Sequence, residues 1–268
     1  MSEKHRKTVA VVIPVFNVER FVKPTLESVK WCDEIIIVDM FSTDKTKEIC
    51  TAYPNCRFFE RKDYILGNVN YGIEQAQSDW IIRLDSDEVV SPSLRQSIEK
   101  VLSDPNPPFE GYEAKSDLYF MGYLLRHGFG KDNWRATLFK KGFARYEGRS
   151  EHETFISNGK WGRLDGHYDH FTNPTISLWM QKTNYYTDKD IERANDMVSP
   201  SVFRMIYVPL RWFQRHYIYP YQAFRDGMPG FIVSCIAAFG LMLLEFKKWE
   251  KVQKLKRGPN YVPPHPNA

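Results

Sequence analysis

Cysteine is scarce in this sequence. The 268 residues include four, Cys32, Cys50, Cys56 and Cys235. None forms a Cys-x-x-Cys pair, which argues against a disulfide framework or a thiolate zinc site and for a reducing compartment. Glycine numbers 15 and shows no triplet period, which excludes a collagen-like chain. There is no internal repeat. A leader peptide is not expected: residues 1–7 are basic and 8–16 apolar, but Pro14 interrupts the apolar run, Asn17, Glu19 and Arg20 follow it, and no small-residue cleavage site appears. What is present is ordinary for a folded protein: 43% hydrophobic, 15% aromatic and 26% charged residues. That suits one or two domains with a buried core and excludes a disordered chain.

Charge is unevenly placed. Residues 1–100 carry 14 Lys and Arg against 16 Asp and Glu, and residues 101–200 carry 13 against 14. Residues 201–268 carry 10 against 3, so the net charge of +4 combines a near-neutral body with a basic end of +7. Basic segments seek phosphate, in nucleic acid or at an anionic membrane.

The first hundred residues alternate short apolar runs with amphipathic ones. Residues 8–15, 34–38 and 80–84 read as buried strands and 57–59 as a short one. Helices are predicted over 17–30, over 43–53 with Ser42 as its cap, over 67–77, and after Ser91-Pro92. Continuous apolar strands separated by helices imply a mostly parallel sheet covered on both faces. Such sheets bind ligands at the carboxyl ends of their strands. A loop at 104–108 ends this rhythm. Residues 110–170 are rich in glycine, aromatics and charge, with strand-like pieces at 112–114, 118–121 and 137–140. Long helices are predicted over 174–195 and 201–216. The expected division is 1–104, 105–173 and 174–268.

The stretch with most chemistry is Trp80-Ile81-Ile82-Arg83-Leu84-Asp85-Ser86-Asp87-Glu88. An apolar strand runs into Asp-x-Asp, and residues two apart in an extended chain face one side. Asp85 and Asp87 therefore share a space at the ligand-binding edge, where two carboxylates repel unless a cation joins them. Oxygen ligands suit Mg²⁺ or Mn²⁺. The competing structural reading is an acidic turn leading into the helix after Ser91.

In the order of its motifs the chain resembles a family 2 glycosyltransferase of the GT-A fold, in the branch holding the lipopolysaccharide-core β-glucosyltransferases. The resemblance spans about residues 8–250. It rests on Val12-Ile13-Pro14-Val15-Phe16-Asn17, Ile36-Ile37-Val38-Asp39 with Ser42-Thr43-Asp44-Lys45-Thr46, Gly67-Asn68-Val69-Asn70, and the Asp79–Glu88 stretch. Further on it takes in His152-Glu153, His170 fourteen residues before Asn184, and Phe224-Arg225-Asp226-Gly227. It implies a Rossmann-like α/β sheet, and the fold class expected for the whole chain adds the C-terminal helical, membrane-associating extension that the composition of its last third suggests. The resemblance also implies that Pro14, Phe16 and Asn17 line the nucleotide pocket and that Asp39 accepts hydrogen bonds from uracil and ribose. Asp85 would stand near ribose and metal, Asp87 would bind the metal directly, and Asn70 and Arg83 would neighbour the diphosphate. Met40-Phe41 stands where the family usually has Ser-Gly, which leaves the shape of that loop open.

An inverting transfer needs a general base for the acceptor hydroxyl. The resemblance places Glu153 there, with Glu151 as the rival. It places His170 at the metal or diphosphate, with His167 as the rival. Residues 203–219 interleave arginine with aromatics, as a lipid headgroup layer or single-stranded RNA would require. Residues 227–244 are uncharged, about 27 Å as a helix and borderline for a span. Residues 247–257 follow with six basic residues and one Glu. RNA binding has no use for such an apolar stretch. The expectation is a monotopic protein on the cytoplasmic face, meeting anionic lipid through residues 201–257 and no nucleic acid; a buried or dimer-interface helix and a full span are the alternatives.

The reading as a whole is a Mn²⁺- or Mg²⁺-dependent transferase of a UDP-hexose to a lipid-linked saccharide. A polyprenyl-phosphate glycosyltransferase and a non-catalytic membrane adaptor are the alternatives. A nucleotidyltransferase should carry a glycine-rich loop after the first strand, and 15–19 has no glycine.

Overall fold

The computed structural model describes residues 6–147, 154–157, 159–172, 175–193 and 200–258. In chain order it contains β1 (Val9–Val15), α1 (Val22–Val29), β2 (Glu34–Asp39), α2 (Thr46–Thr51), β3 (Cys56–Glu60) and α3 (Ile65–Gln75). Then come β4 (Trp80–Arg83), β5 (Glu88–Val90), α4 (Pro92–Ser103), β6 (Gly111–Phe120), β7 (Tyr123–Leu125), β8 (Trp134–Lys140) and β9 (Ala144–Glu147). Last are β10 (Thr154–Ser157), β11 (Trp161–Thr172), α5 (Ile176–Arg193), α6 (Val202–Phe213) and α7 (Gly227–Arg257). The chain divides into two compact units. One takes Met1–Asp117 and Asp132–Phe171, the other Leu118–Lys131 and Thr172–Ala268.

In the first unit, β1 is apolar throughout and buried throughout. Alternation sends its residues to two different cores. Val9, Val11, Ile13 and Val15, with Ile35, Ile37, Trp80 and Ile82, meet α1 (Val22, Leu26, Val29) and α4 (Leu94, Ile98, Leu102). Ala10 and Val12, with Ile36, Val38 and Ile81, meet α3 (Leu66, Val69, Ile73) on the other face. Full burial of each large aliphatic side chain contributes about 1.5–3 kcal/mol. Burial also pushes the Cys50 thiol up to about 12 and that of Cys56 to about 11, so neither is a thiolate at neutral pH.

The sheet order is β3-β2-β1-β4-β8-β6-β11-β5, with β7 joined to β6. The β3-β2-β1-β4 half is parallel, as the alternation of strands and helices predicts. The other half is antiparallel: β4 pairs β8, β8 pairs β6, and β11 pairs β5. The result is a GT-A-like mixed sheet flanked by helices. The separate strands predicted at 112–114 and 118–121 are one strand, β6.

Ser42 does not cap α2. Its hydroxyl is bound to the Asp39 carboxylate, and the Asp44 carboxylate accepts from Thr46 N (3.0 Å) instead. Ser91 caps α4 as its sequence context predicts, accepting from Leu94 N at 3.2 Å. Gly166 (φ +92) lets β11 cross this helix start, where a Cβ would stand 2.4 Å from Leu94 N.

The second unit has its own small core of Phe120, Leu125 and Val233, with Leu118, Trp179 and Ile232 against it. Asp226 ties the start of α7 to the segment after β7. It accepts from His127 N (2.9 Å) and Arg126 N (3.2 Å), and its Oδ1 lies 2.8 Å from His127 Nδ1. Among the described residues one helix, Ala223–Arg257, is long and apolar enough to cross a membrane by length and composition.

Candidate active site

The carboxyl ends of β1, β2 and β4 each carry polar residues that the apolar strands deliver to one edge of the sheet. At the first two, Asn17 (φ +51) and Phe41 (φ +62) hold left-handed turns. Side chains staple the turns to each other. Asp39, 1% exposed at the end of β2, accepts from the Ser42 amide (2.8 Å) and hydroxyl. The Ser42 hydroxyl accepts from Asn17 N (2.8 Å), and Asn17 Oδ1 accepts from Thr43 N (2.8 Å). The loop at Met40-Phe41 thus keeps the left-handed backbone that a glycine would give it, with an exposed phenyl ring in place of a hydrogen. Phe16 beside it is exposed as well, while Pro14 is buried within β1.

Beyond β4 lies a dense charged cluster. The Arg83 fork meets both Asp85 oxygens at 2.8 Å. Arg135, from β8, reaches Asp85 Oδ2 (3.4 Å) and Glu88 Oε1 (2.9 Å), and its guanidinium lies over the Tyr168 ring at 5.3 Å. Glu88 has no exposed side-chain surface, and its Oε2 accepts from Asp85 N at 2.8 Å. The Thr25 hydroxyl donates to Ser86 O (2.8 Å), fixing the turn between the aspartates.

Asp87 stands apart from the arginines. Its Oδ1 is 3.5 Å from His170 Nε2, and the other ring nitrogen, Nδ1, is 3.7 Å from Glu88 Oε1. The β5–β11 pairing sets this up, placing His170 opposite Glu88, and Phe171 N donates to Asp87 O at 2.9 Å. His167 goes elsewhere. With Asp117 and Asp169 it forms a second group whose ligand atoms lie within 4.8 Å of one another. The two histidines part because odd and even residues of β11 face opposite ways.

Electrostatics separate two of the carboxyls, Asp85 and Glu88. Burial alone would raise Asp85, but Arg83 and Arg135 hold it well below the usual carboxylate range. Burial dominates at Glu88 and raises it despite Arg135. Burial alone would lower His170; the Asp87 hydrogen bond and the charges of Glu88, Asp87 and Asp85 raise it instead.

The structure therefore groups Arg83, Asp85, Asp87 and His170 in one cluster, and Asn17 and Asp39 in the stapled turns. Asn70 is placed differently. Its amide pairs with the Tyr146 backbone (Nδ2 to O 2.8 Å, Oδ1 from N 3.0 Å), anchoring β9 to α3. Glu151 and Glu153 lie outside the described residues. Glu88 and Tyr168 were not singled out from sequence as site residues. Glu88 had a signal, being the third acid after a buried strand. Tyr168 had none, since only strand pairing brings it in.

The glycosyl transferase family 2 model matches residues 10–156, more than half the chain, and the chain belongs to that family. A lipopolysaccharide core biosynthesis glycosyltransferase, LpsC of Rhizobium meliloti, is 26% identical over 91% of this chain and 92% of its own. An uncharacterized glycosyltransferase of Rickettsia typhi is 27% identical over 96% and 92%. Among solved structures, S. aureus TarS 1-349 in complex with UDP-GlcNAc is similar at 13% identity and a TM-score of 0.49, over 93% of this chain and 91% of that one.

Proposed function

We propose that the chain is an inverting, divalent-metal-dependent hexosyltransferase. It moves a hexose, glucose in the first instance, from a UDP-sugar to a hydroxyl of a lipid-linked saccharide. The acceptor is a lipopolysaccharide core or a polyprenyl-diphosphate-linked glycan, met at the cytoplasmic face of the membrane. The acceptor class follows the relative named for lipopolysaccharide core biosynthesis. The observation that carries the reaction is the approach of Asp87 Oδ1 and His170 Nε2 to 3.5 Å.

A carboxylate oxygen with an imidazole nitrogen is a donor set that fits Mn²⁺, and Mg²⁺ less well. Asp87 and His170 would hold the ion, with Asp85 beside them. Bound there, the ion would offset negative charge growing on the diphosphate leaving group. Arg83 and Arg135 keep Asp85 ionised and add fixed positive charge next to it. Asp39, rigidly held by Ser42, has lone pairs left for uracil and ribose, and Phe16 and Asn17 line the base side, with Pro14 buried in β1 behind them. Asn70 contributes through β9. Glu153, or Glu151 two residues earlier, takes the proton from the acceptor hydroxyl as its oxygen attacks the anomeric carbon and the diphosphate departs.

A thermal-shift panel of UDP, GDP, CDP, ADP and dTDP, each with and without Mn²⁺, tests this. A ligand specific for the native state stabilises by about 2.7 kcal/mol at a hundredfold excess over Kd. UDP alone should raise the midpoint, only with metal, and not in Asp87→Asn. A rise for another nucleotide overturns the donor. Full transfer by Glu153→Gln and Glu151→Gln would favour a lipid phosphate acceptor, which needs no base.

A further inference from the structure

The second unit presents two apolar stripes that, among the described residues of that unit, nothing covers. On α6 the exposed side chains are Val202, Phe203, Ile206, Tyr207 and Leu210, all on one face at helical spacing. On α7 Met228, Phe231, Phe239, Phe246 and Trp249, all exposed, also fall on a single face, while exposed Leu255 near the helix end lies on the other. The stripes adjoin where Val202, Met205, Phe246 and Trp249 line a shared groove of about 710 Å³. Only 17% of the most apolar part of α7 is buried.

The helices run antiparallel. Arg204 near the start of α6 lies 3.4 Å from Glu245 late in α7, while Phe213 at its end packs against Phe231 early in α7. Exposed Arg211 is therefore level with the middle of the uncharged stretch 227–244. Were α7 to cross a bilayer, Arg211 would be carried into the hydrocarbon, where a charged side chain is strongly disfavoured. Lying flat removes the conflict. Both stripes can then enter the acyl boundary while arginine and lysine remain among the headgroups, their stems along the apolar surface.

The charge matches one occupant. Residues 201–257 hold ten Lys and Arg against Asp226, Glu245 and Glu250. Each of the three acids is already engaged, Asp226 by His127, Glu245 by Arg204 and Lys248, and Glu250 by Lys254. Arg211, Arg215, Arg225, Lys254 and Lys256 are exposed.

We infer that α6 and α7 form an in-plane platform that seats the protein on an anionic bilayer surface without spanning it, the α6 stripe being the principal contact. The inference concerns this surface and holds or fails independently of the sugar, acceptor and metal proposed above.

The test is flotation of the full chain with phosphatidylcholine vesicles, with and without 30 mol% phosphatidylglycerol, beside Ile206→Glu/Leu210→Glu. Both substituted residues are exposed, so the midpoint of thermal unfolding should stay within a degree or two of the parent, confirming the fold. The parent should float with the anionic vesicles, bind more weakly but still measurably in high salt, and come off membranes at alkaline pH. The variant should bind at least about tenfold more weakly, because each buried aliphatic side chain is worth about one to two tenfold steps. Three outcomes overturn the inference: no flotation of the parent, retention in the membrane after alkaline extraction, or undiminished binding by the variant. A parent that fails to float but is dimeric, with a monomeric variant, would assign the face to a second copy instead.

Discussion

Arg135 Nη1 and Glu88 Oε1 meet at 2.9 Å around a carboxylate with no exposed side-chain surface. The pair links β8 to the turn that presents both aspartates, since the same Glu88 side chain accepts from Asp85 N. Breaking one side of such a pair leaves a buried charge without a partner. Arg135→Ala should therefore cost about 3–5 kcal/mol, and Arg135→Met/Glu88→Leu much less. Urea unfolding of the two variants measures the difference; equal losses would show that packing, not the ion pair, sets the cost.

The two histidines of β11 should separate cleanly. His170→Ala should weaken Mn²⁺ binding at least about tenfold, the loss that even outer-shell changes at metal sites produce. His167→Ala, facing Asp117 and Asp169, should leave the Mn²⁺-dependent UDP shift unchanged. Calorimetric titration with Mn²⁺ in the presence of UDP reads both, and the reverse result would move the ion to the second group.

Glu34 makes stability pH-dependent. It accepts from Ser78 Oγ, Arg57 Nη1 and Gln77 N, clamping the start of β2 to the turn before β4. Burial works to raise its carboxyl, but those hydrogen bonds lower it overall. A lowered folded value means the contribution is fully present above the unfolded value of about 4.3 and lost as pH falls through the folded one. Glu34→Gln should cost about 1–3 kcal/mol at pH 7, with the gap to the parent narrowing below pH ~4. A gap constant from pH 7 to 3 would contradict the assignment.

Gly166→Ala places a methyl 2.4 Å from the Leu94 amide at a positive φ, so β11 or α4 must shift. A loss of about 2 kcal/mol or more is expected. Gly122→Ala has a positive φ (+82) but open space around the added carbon, so it should lose only about 1–2 kcal/mol. The difference in urea midpoints isolates the clash from the backbone cost.

The parallel half of the sheet was legible because Val9–Val15, Ile35–Val38 and Trp80–Ile82 are continuous apolar runs, a local signal. The antiparallel half was not. Strand β5 is three residues long and its partner β11 lies about 80 residues on, so no window of sequence contains the pairing. Asp85 and Asp87 could be placed at a strand end from spacing alone, but the Arg83 fork on both Asp85 oxygens could not. Ser42 misled for a physical reason: a hydroxyl near a buried carboxylate prefers Asp39 to a helix amide. In the left-handed turn at Phe41, the hydrogen bonds joining Asp39, Ser42, Thr43 and Asn17 hold a backbone that phenylalanine disfavours, which is why the missing glycine gave no usable guide there.

The register of β11 has a consequence for how the site comes into being. His170 is opposite Glu88, and a slip of one residue would turn it to the face that now holds His167 and Asp169. Arg83, Asp85 and Arg135 come together once β4 and β8 have joined. During synthesis a chain emerging from the ribosome would already display its aspartates and arginines while the imidazole had yet to be made. Completion of the site is thus the late, non-local step of this unit's assembly, and a molecule that has closed it reports that β11 has docked in register.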